Sequence, residues 1–293
     1  MAISDNLRGV IYMNVSMLAF TVNDSFMKAV TQTVPLFQAI TLRGLISVVA
    51  LMLIAQGMGG LRYWPARRDR GFIVLRSLAD VLGTVFFLVA LTHMPLANLS
   101  AILQVVPLAV ALAAAVFLGV PLGWRRLTAI FAGFVGVMVI IRPGADSFTV
   151  WSVLGLASVI CVVVRDLATR RLSADVPSTA VSVWAAVAVT TMGMIGAAAD
   201  GWKPFGMIEA LQILGAAAFL IVGYLFSVMV MRVGDIGLIA PFRYTALLWA
   251  ILLGWLAFGT LPDGWTLVGA GIVVASGLFT LWRERALRRS VRT

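Results

Sequence analysis

Four ionisable residues, Asp24, Arg43, Asp80 and Arg243, fall inside long apolar stretches of this 293-residue chain. A charge in the middle of a hydrocarbon span costs about 2.5–3.5 kcal/mol or more, so each is a candidate for function. Arg43 is about 12 Å into its run at 1.5 Å per residue, and Asp24 sits in the matching third of the run before it, so the two can pair near one mouth of a bundle. Asp80 is about 13 Å deep and Arg243 about 10 Å deep from the other side, which makes a second possible pair. Arg76, one helical turn before Asp80, is its local alternative partner. A guanidinium takes a carboxylate bidentately and a carboxylate draws an ammonium, so the set suits a zwitterion. The alternative is that these charges only neutralise one another between helices.

An amino acid with an aromatic side chain also needs a stacking wall, which Tyr244, Trp249, Trp184, Tyr224 and Phe86-Phe87 can supply. Gln104 offers an amide either to a cavity or to a neighbouring helix. Pro107 and Pro241 each remove a helical hydrogen bond at related places in the two halves, as a hinge near a central site would require. The Gly133-x-x-Gly136 and Gly193-x-x-Gly196 pairs suit close helix contact. His93 is the only histidine and reads as a solvated turn residue, with proton coupling as the alternative. Cys161 is the only cysteine, so no internal disulfide, cysteine metal site or His-rich metal site is expected. With no GxxxxGK[ST] loop for ATP and no cofactor expected, energy would come from a gradient.

These residues must be carried by helices. Apolar residues make up 61% of the chain and charged ones 12%, with mean hydropathy +1.03, against about 45–50% and 25% in soluble proteins. Backbone groups in hydrocarbon need partners within the segment, and runs of about 20 residues without period-2 alternation select helices over a barrel. The predicted spans lie near 8–27, 35–56, 72–92, 97–118, 125–142, 150–169, 178–198, 210–231, 236–258 and 264–282. The first run is read as a retained span, being longer than a signal-peptide core. The fold class is therefore all-α: a polytopic membrane protein of ten transmembrane helices.

The formal charge of +10 does not mark a nucleic-acid binder, because the arginines lie in short clusters between apolar runs. With the N-terminus inside, seventeen basic residues, among them Arg8, Arg62, Arg67, Arg125, Arg126, Arg165, Arg170, Arg232 and Arg292, fall at the inner side, against Lys28, Arg142 and Lys203 outside. The positive-inside rule then makes both termini cytoplasmic. The halves resemble each other: Asn23-Asp24 and Pro35 precede Arg165-Asp166 and Pro177 by 142 positions, and Phe117-Leu118-Gly119 precedes Ala257-Phe258-Gly259 by 140. A near-constant offset indicates duplication, and an odd number of spans per copy inverts the second one. The expected units are residues 1–145 and 146–293, two inverted five-helix repeats, the latter ending in a short basic cytoplasmic tail.

Pro107 followed by an apolar run to Phe117-Leu118-Gly119, then Gly136-Val137, resembles the signature of EamA domains, and Leu247 through Phe258-Gly259 to Ser276-Gly277 repeats it. Arg43 with Phe37 upstream is similar to that family's pattern too. The resemblance covers nearly the whole chain in two copies, and implies the drug/metabolite transporter superfamily, nearest the YddG-type exporters of aromatic and other neutral amino acids. The acidic residue often found after the Leu-Gly or Phe-Gly pair is Val120 in one copy and Thr260 in the other, so no role for it carries over. The resemblance implies a secondary transporter, not an enzyme, in the bacterial inner membrane, with a small zwitterionic substrate and the lipid bilayer as partners. A same-fold carrier of sugar phosphates, nucleotides or cations is the alternative, and a membrane-embedded enzyme a remote one, since no catalytic cluster gathers in the short loops.

Overall fold

A computed structural model describes residues 5–57, 65–120, 123–142, 149–173, 175–230, 233 and 236–290. Its helices are α1 (Asp5–Val30), α2 (Leu36–Gly57), α3 (Arg67–His93), α4 (Leu96–Leu103), α5 (Val106–Leu118), α6 (Trp124–Ile141), α7 (Val150–Arg170), α8 (Ser178–Asp200), α9 (Met207–Val230), α10 (Ile236–Ile239), α11 (Thr245–Phe258) and α12 (Gly264–Ser290), with a 3-10 turn at Ala240–Tyr244. The described residues form no strand. Nine spans among them are long and apolar enough to cross a membrane, with α4 and α5 counting as one span and the 3-10 turn with α11 as another. The 26-residue α1 supplies the length for a tenth, while Asn14, Asn23 and Asp24 dilute its apolar character. Arg62, Arg232 and Arg292, used to predict orientation, and the boundary expected between 145 and 146 lie outside the described residues.

Two predicted spans are broken helices, and they break alike. In the first half the helix stops at Leu103, turns at Gln104-Val105 and resumes with Pro107 in its first turn. In the second, Pro241 opens the 3-10 turn that separates α10 from α11. Proline has no N–H to donate and fits the first turn, where that donor is unused anyway. The two broken spans start at Leu96 and Ile236 and end at Leu118 and Phe258, 140 positions apart at both ends. Each ends on a glycine in the left-handed region, Gly119 at φ 66° and Gly259 at φ 63°, where a side chain would be strained.

The main packing partners are α1 with α9, α3 with α7, α2 with α8, and α6 with α12. Exchanging the halves turns the α1–α9 pair into α7–α3, and maps α2–α8 and α6–α12 onto themselves, as two copies about a two-fold would. Small residues bring these helices close. A Cβ on Gly136 would lie 2.8 Å from the Gly269 carbonyl oxygen, and one on Gly193 would lie 2.9 Å from Ile40 Cγ2; Gly196 lies against the Phe37 ring and Gly133 against Leu108.

Packing differs between the two ends of the bundle. Where the end of α1 meets the starts of α2 and α4 and the end of α3, Met27, Val30, Val34, Leu91, Leu96, Leu99 and Ile102 are almost wholly buried. Lys28 Nζ donates to the carbonyls of Leu91 and Met94, at 2.6 Å each, which satisfies the open C-terminus of α3. Gln38 pairs through both its amide atoms with the Lys203 backbone, at 2.9 Å each, and ties the 201–206 segment to α2. At the opposite end, buried Asp69 accepts from Ser173 N–H and Oγ at 3.0 and 2.8 Å, linking the start of α3 to the turn after α7.

Candidate functional site

The opening in the bundle lies on the side away from that packed end. A cavity of about 270 Å³ is walled by α5, α7, the 3-10 turn and α12, with Pro107, Val110, Ala114, Ala240, Gly277 and Thr280 among its apolar and small residues. Its charged wall consists of Arg126, Asp166, Arg170 and Arg243. Arg243 is exposed to solvent although helices surround it, because it faces this cavity. Asp166 is the acid whose charge acts on it. Among the described residues the Arg243 side chain makes no hydrogen bond or ion pair. The 3-10 turn that carries it is the unwound part of the span, so the geometry follows from Pro241, two residues earlier in the same turn.

The predicted pairing of Asp80 with Arg243 is not formed. Asp80 takes the local alternative: Arg76 Nη1 donates to it at 2.9 Å and Arg165 Nη1 at 3.4 Å. Arg165 in turn pairs with Asp166 at 2.9 Å. The result is a ladder of alternating charges between α3 and α7 that leads toward Arg243. Two arginines already satisfy Asp80, so its carboxylate has little left for a third.

Asp24 and Arg43 are brought together through a relay. Arg43, 7% exposed, donates from Nη1 to Asn23 Oδ1 at 3.2 Å, and Asn23 Nδ2 donates to Asp24 Oδ1 at 2.9 Å. The Arg43 Nε has no hydrogen-bond partner among the described residues. Tyr224 is 39% exposed, packs edge-on against Phe20 at 5.6 Å, and feels the charges of Asp80, Arg165, Arg76 and Arg43. It therefore lies between the two charged groups.

The remaining predicted residues do less at the cavity. Gln104 is buried, and its Nε2 donates to the Tyr244 carbonyl at 3.2 Å, which makes it a strut between the two broken spans. Those two residues are themselves 140 positions apart. Tyr244 is buried with its hydroxyl against Gly277, and Trp184 is half-buried on α8; neither lines the cavity. Pro107 lines the cavity and Pro241 sets the turn beside it. His93 stacks on Trp151, with ring centroids 3.6 Å apart, and Thr92 and Val89 oxygens meet its Nδ1. Sequence reasoning used Arg126 and Arg170 only as orientation markers, Arg165 as an orientation and repeat marker, and Asp166 only as a repeat marker. The signal for Asp166 was present: it is the counterpart of Asp24 in the second copy.

The profile of the EamA-like transporter family matches residues 7–142 and again 149–282. Among characterised proteins, the chain is 28% identical to the Riboflavin transporter of Vibrio cholerae serotype O1 over 97% of this chain and 96% of that one. It is 25% identical to the S-adenosylmethionine uptake transporter of Rickettsia bellii over 94% of each chain. It is 24% identical to the Pseudopaline exporter CntI of Pseudomonas aeruginosa over 92% and 94%. A solved crystal structure superposes with TM-score 0.65 at 19% identity over 93% of this chain and 96% of the other, a likeness of fold.

Proposed function

We propose, from the premise that this chain belongs to the EamA-like transporter family, that it carries small zwitterionic metabolites of the amino-acid type by alternating access. It is a multi-pass inner-membrane transporter and not an enzyme. The observation that carries the substrate reading is Arg243, solvent-exposed in the cavity wall across from Asp166. A guanidinium with open donors takes a carboxylate, and a nearby acid draws an ammonium. Relatives named for riboflavin, S-adenosylmethionine and pseudopaline give no support to a restriction to aromatic amino acids, so export of aromatic and neutral amino acids is one case of the wider class. Those names include an uptake system and an exporter, so direction belongs to the gradients and not to the fold.

In this reading residues 1–145 and 146–293 are inverted repeats with both termini cytoplasmic, and the cavity faces the cytoplasm. The packed end is then the closed outer gate, and exchanging the conformations of the two repeats opens it. Reporter fusions at both termini test the orientation, and an external terminus overturns it.

The substrate test is counterflow in proteoliposomes of the purified chain with labelled S-adenosylmethionine, phenylalanine, riboflavin and glucose 6-phosphate. Saturable exchange of a zwitterion is expected. The Arg243→Gln variant loses a charged hydrogen-bond pair of about 1.5–3 kcal/mol, roughly a tenfold to hundredfold loss in affinity. Arg126 and Arg170 in the wall favour a second reading, a phosphate ester. Exchange of glucose 6-phosphate alone would establish it, and exchange of riboflavin alone would overturn both.

A further inference from the structure

We propose that a basic recess between the start of α6 and the end of α12 binds the phosphate of an anionic phospholipid headgroup. The recess holds about 290 Å³ and is lined by Gly123, Trp124, Arg125, Arg126 and Arg283. Three of these five residues carry a guanidinium, and none is acidic. Among the described residues, neither Arg125 nor Arg283 has an acidic partner. Guanidinium groups bind phosphate through paired donors, and basic pockets at the ends of membrane helices suit lipid headgroups.

Depth and surroundings favour lipid over a free phosphate ester. Arg283 ends the membrane-crossing stretch Gly264–Arg283, and Trp124 begins the stretch Trp124–Ile141, so the recess lies at the bilayer boundary. Trp124 is 70% exposed and Trp282 is also exposed, as tryptophans are at headgroup level. From the recess an exposed apolar lane runs down α6 through Leu127, Phe131, Val135 and Met138. Spacings of three and four residues keep that lane on one face, where an acyl chain would lie.

The equivalent place in the other copy is different. The Gly123-Trp124 pair returns there as Gly264-Trp265, but Thr266 follows in place of Arg125. The arginine beside it, Arg142, is met by the chain's own Asp263. There the cation meets an acid of the chain itself, whereas Arg125, which lies over the Trp124 ring at 5.4 Å, and Arg283 meet none among the described residues.

Native mass spectrometry of the purified full chain, titrated with phosphatidylglycerol or phosphatidylcholine, tests this. Retention of phosphatidylglycerol and a raised thermal midpoint are expected, with neither effect from phosphatidylcholine. The Arg125→Gln/Arg283→Gln double variant should bind phosphatidylglycerol about tenfold more weakly or worse, and Arg125→Lys/Arg283→Lys should retain part of the binding. If the glutamine variant does not fold, the lysine variant carries the test, and binding by it equal to wild type would overturn the paired-donor geometry. Equal binding of both lipids, or undiminished binding by the folded glutamine variant, would overturn the site. Displacement of the lipid by inorganic phosphate would assign the recess to a free anion instead.

Discussion

Alanine at Gly136 tests the close backbone contact between α6 and α12. A Cβ there would lie 2.8 Å from the Gly269 carbonyl oxygen, 2.9 Å from Val273 Cγ2 and 3.1 Å from Ile272 Cβ, where ordinary contact begins near 3.4 Å. The Gly269 oxygen and the Ile272 Cβ are fixed to the α12 backbone and cannot swing aside. The helices must part by roughly half an ångström, forfeiting dispersion contacts along their length. Overpacking of this kind costs about 1–3 kcal/mol, and the rigidity of the obstruction puts it in the upper half of that range. Alanine returns about 1 kcal/mol of helix propensity over glycine, so a net loss of about 1–2 kcal/mol is expected. Gly271, on the facing α12 with nothing within 4 Å of its would-be Cβ, is the control, and alanine there should be neutral or stabilising by up to about 1 kcal/mol. Equilibrium unfolding in mixed detergent micelles, followed by tryptophan fluorescence, measures both. The reasoning fails if Gly136→Ala is as stable as wild type, or if Gly271→Ala loses as much.

Lys28→Met removes two charge-assisted bonds to the Leu91 and Met94 carbonyls and should loosen the packed end by about 1.5–3 kcal/mol. Faster alkylation of Val34→Cys in a Cys161→Ser background is the readout, and unchanged protection would contradict it. Ser173→Ala deletes the hydroxyl bond to buried Asp69 while leaving the backbone one, for a loss of about 1 kcal/mol in the same unfolding assay; no loss would show the tie to be idle. Burial pushes the Asp263 carboxyl up, but hydrogen bonds from Thr266 and the Arg142 guanidinium outweigh it and hold it below the usual carboxylate range. A depressed folded value means that its contribution is complete above the unfolded value of about 3.9 and disappears as pH falls through the folded one. Asp263 is half exposed, so the effect is small. Asp263→Asn should flatten the acid limb of a stability profile, and an unaltered limb would remove the residue from it.

That the chain is a bundle of long apolar helices was legible because hydrocarbon imposes a local demand. Each crossing must be long, apolar and internally hydrogen-bonded, which any window of residues reveals on its own. The 140-residue offset survived in both ends of the two broken spans, while the prolines beside the breaks, Pro107 and Pro241, are 134 positions apart and each acts on its own turn. The charged site was only half legible. Residue type picked out Asp24, Arg43, Asp80 and Arg243, because any charge in such a span stands out. Their partners were decided by tertiary structure: Asp80 closes on Arg165, 85 positions away, Asn23 stands between Arg43 and Asp24, and Gln104 reaches the Tyr244 carbonyl and not the cavity. A membrane helix is apolar on its lipid-facing and its buried sides alike, so hydropathy carries almost no record of rotation about the axis. Which face of α7 meets α3, and therefore that Asp166 looks into the cavity beside Arg243, exists only once the helices have packed.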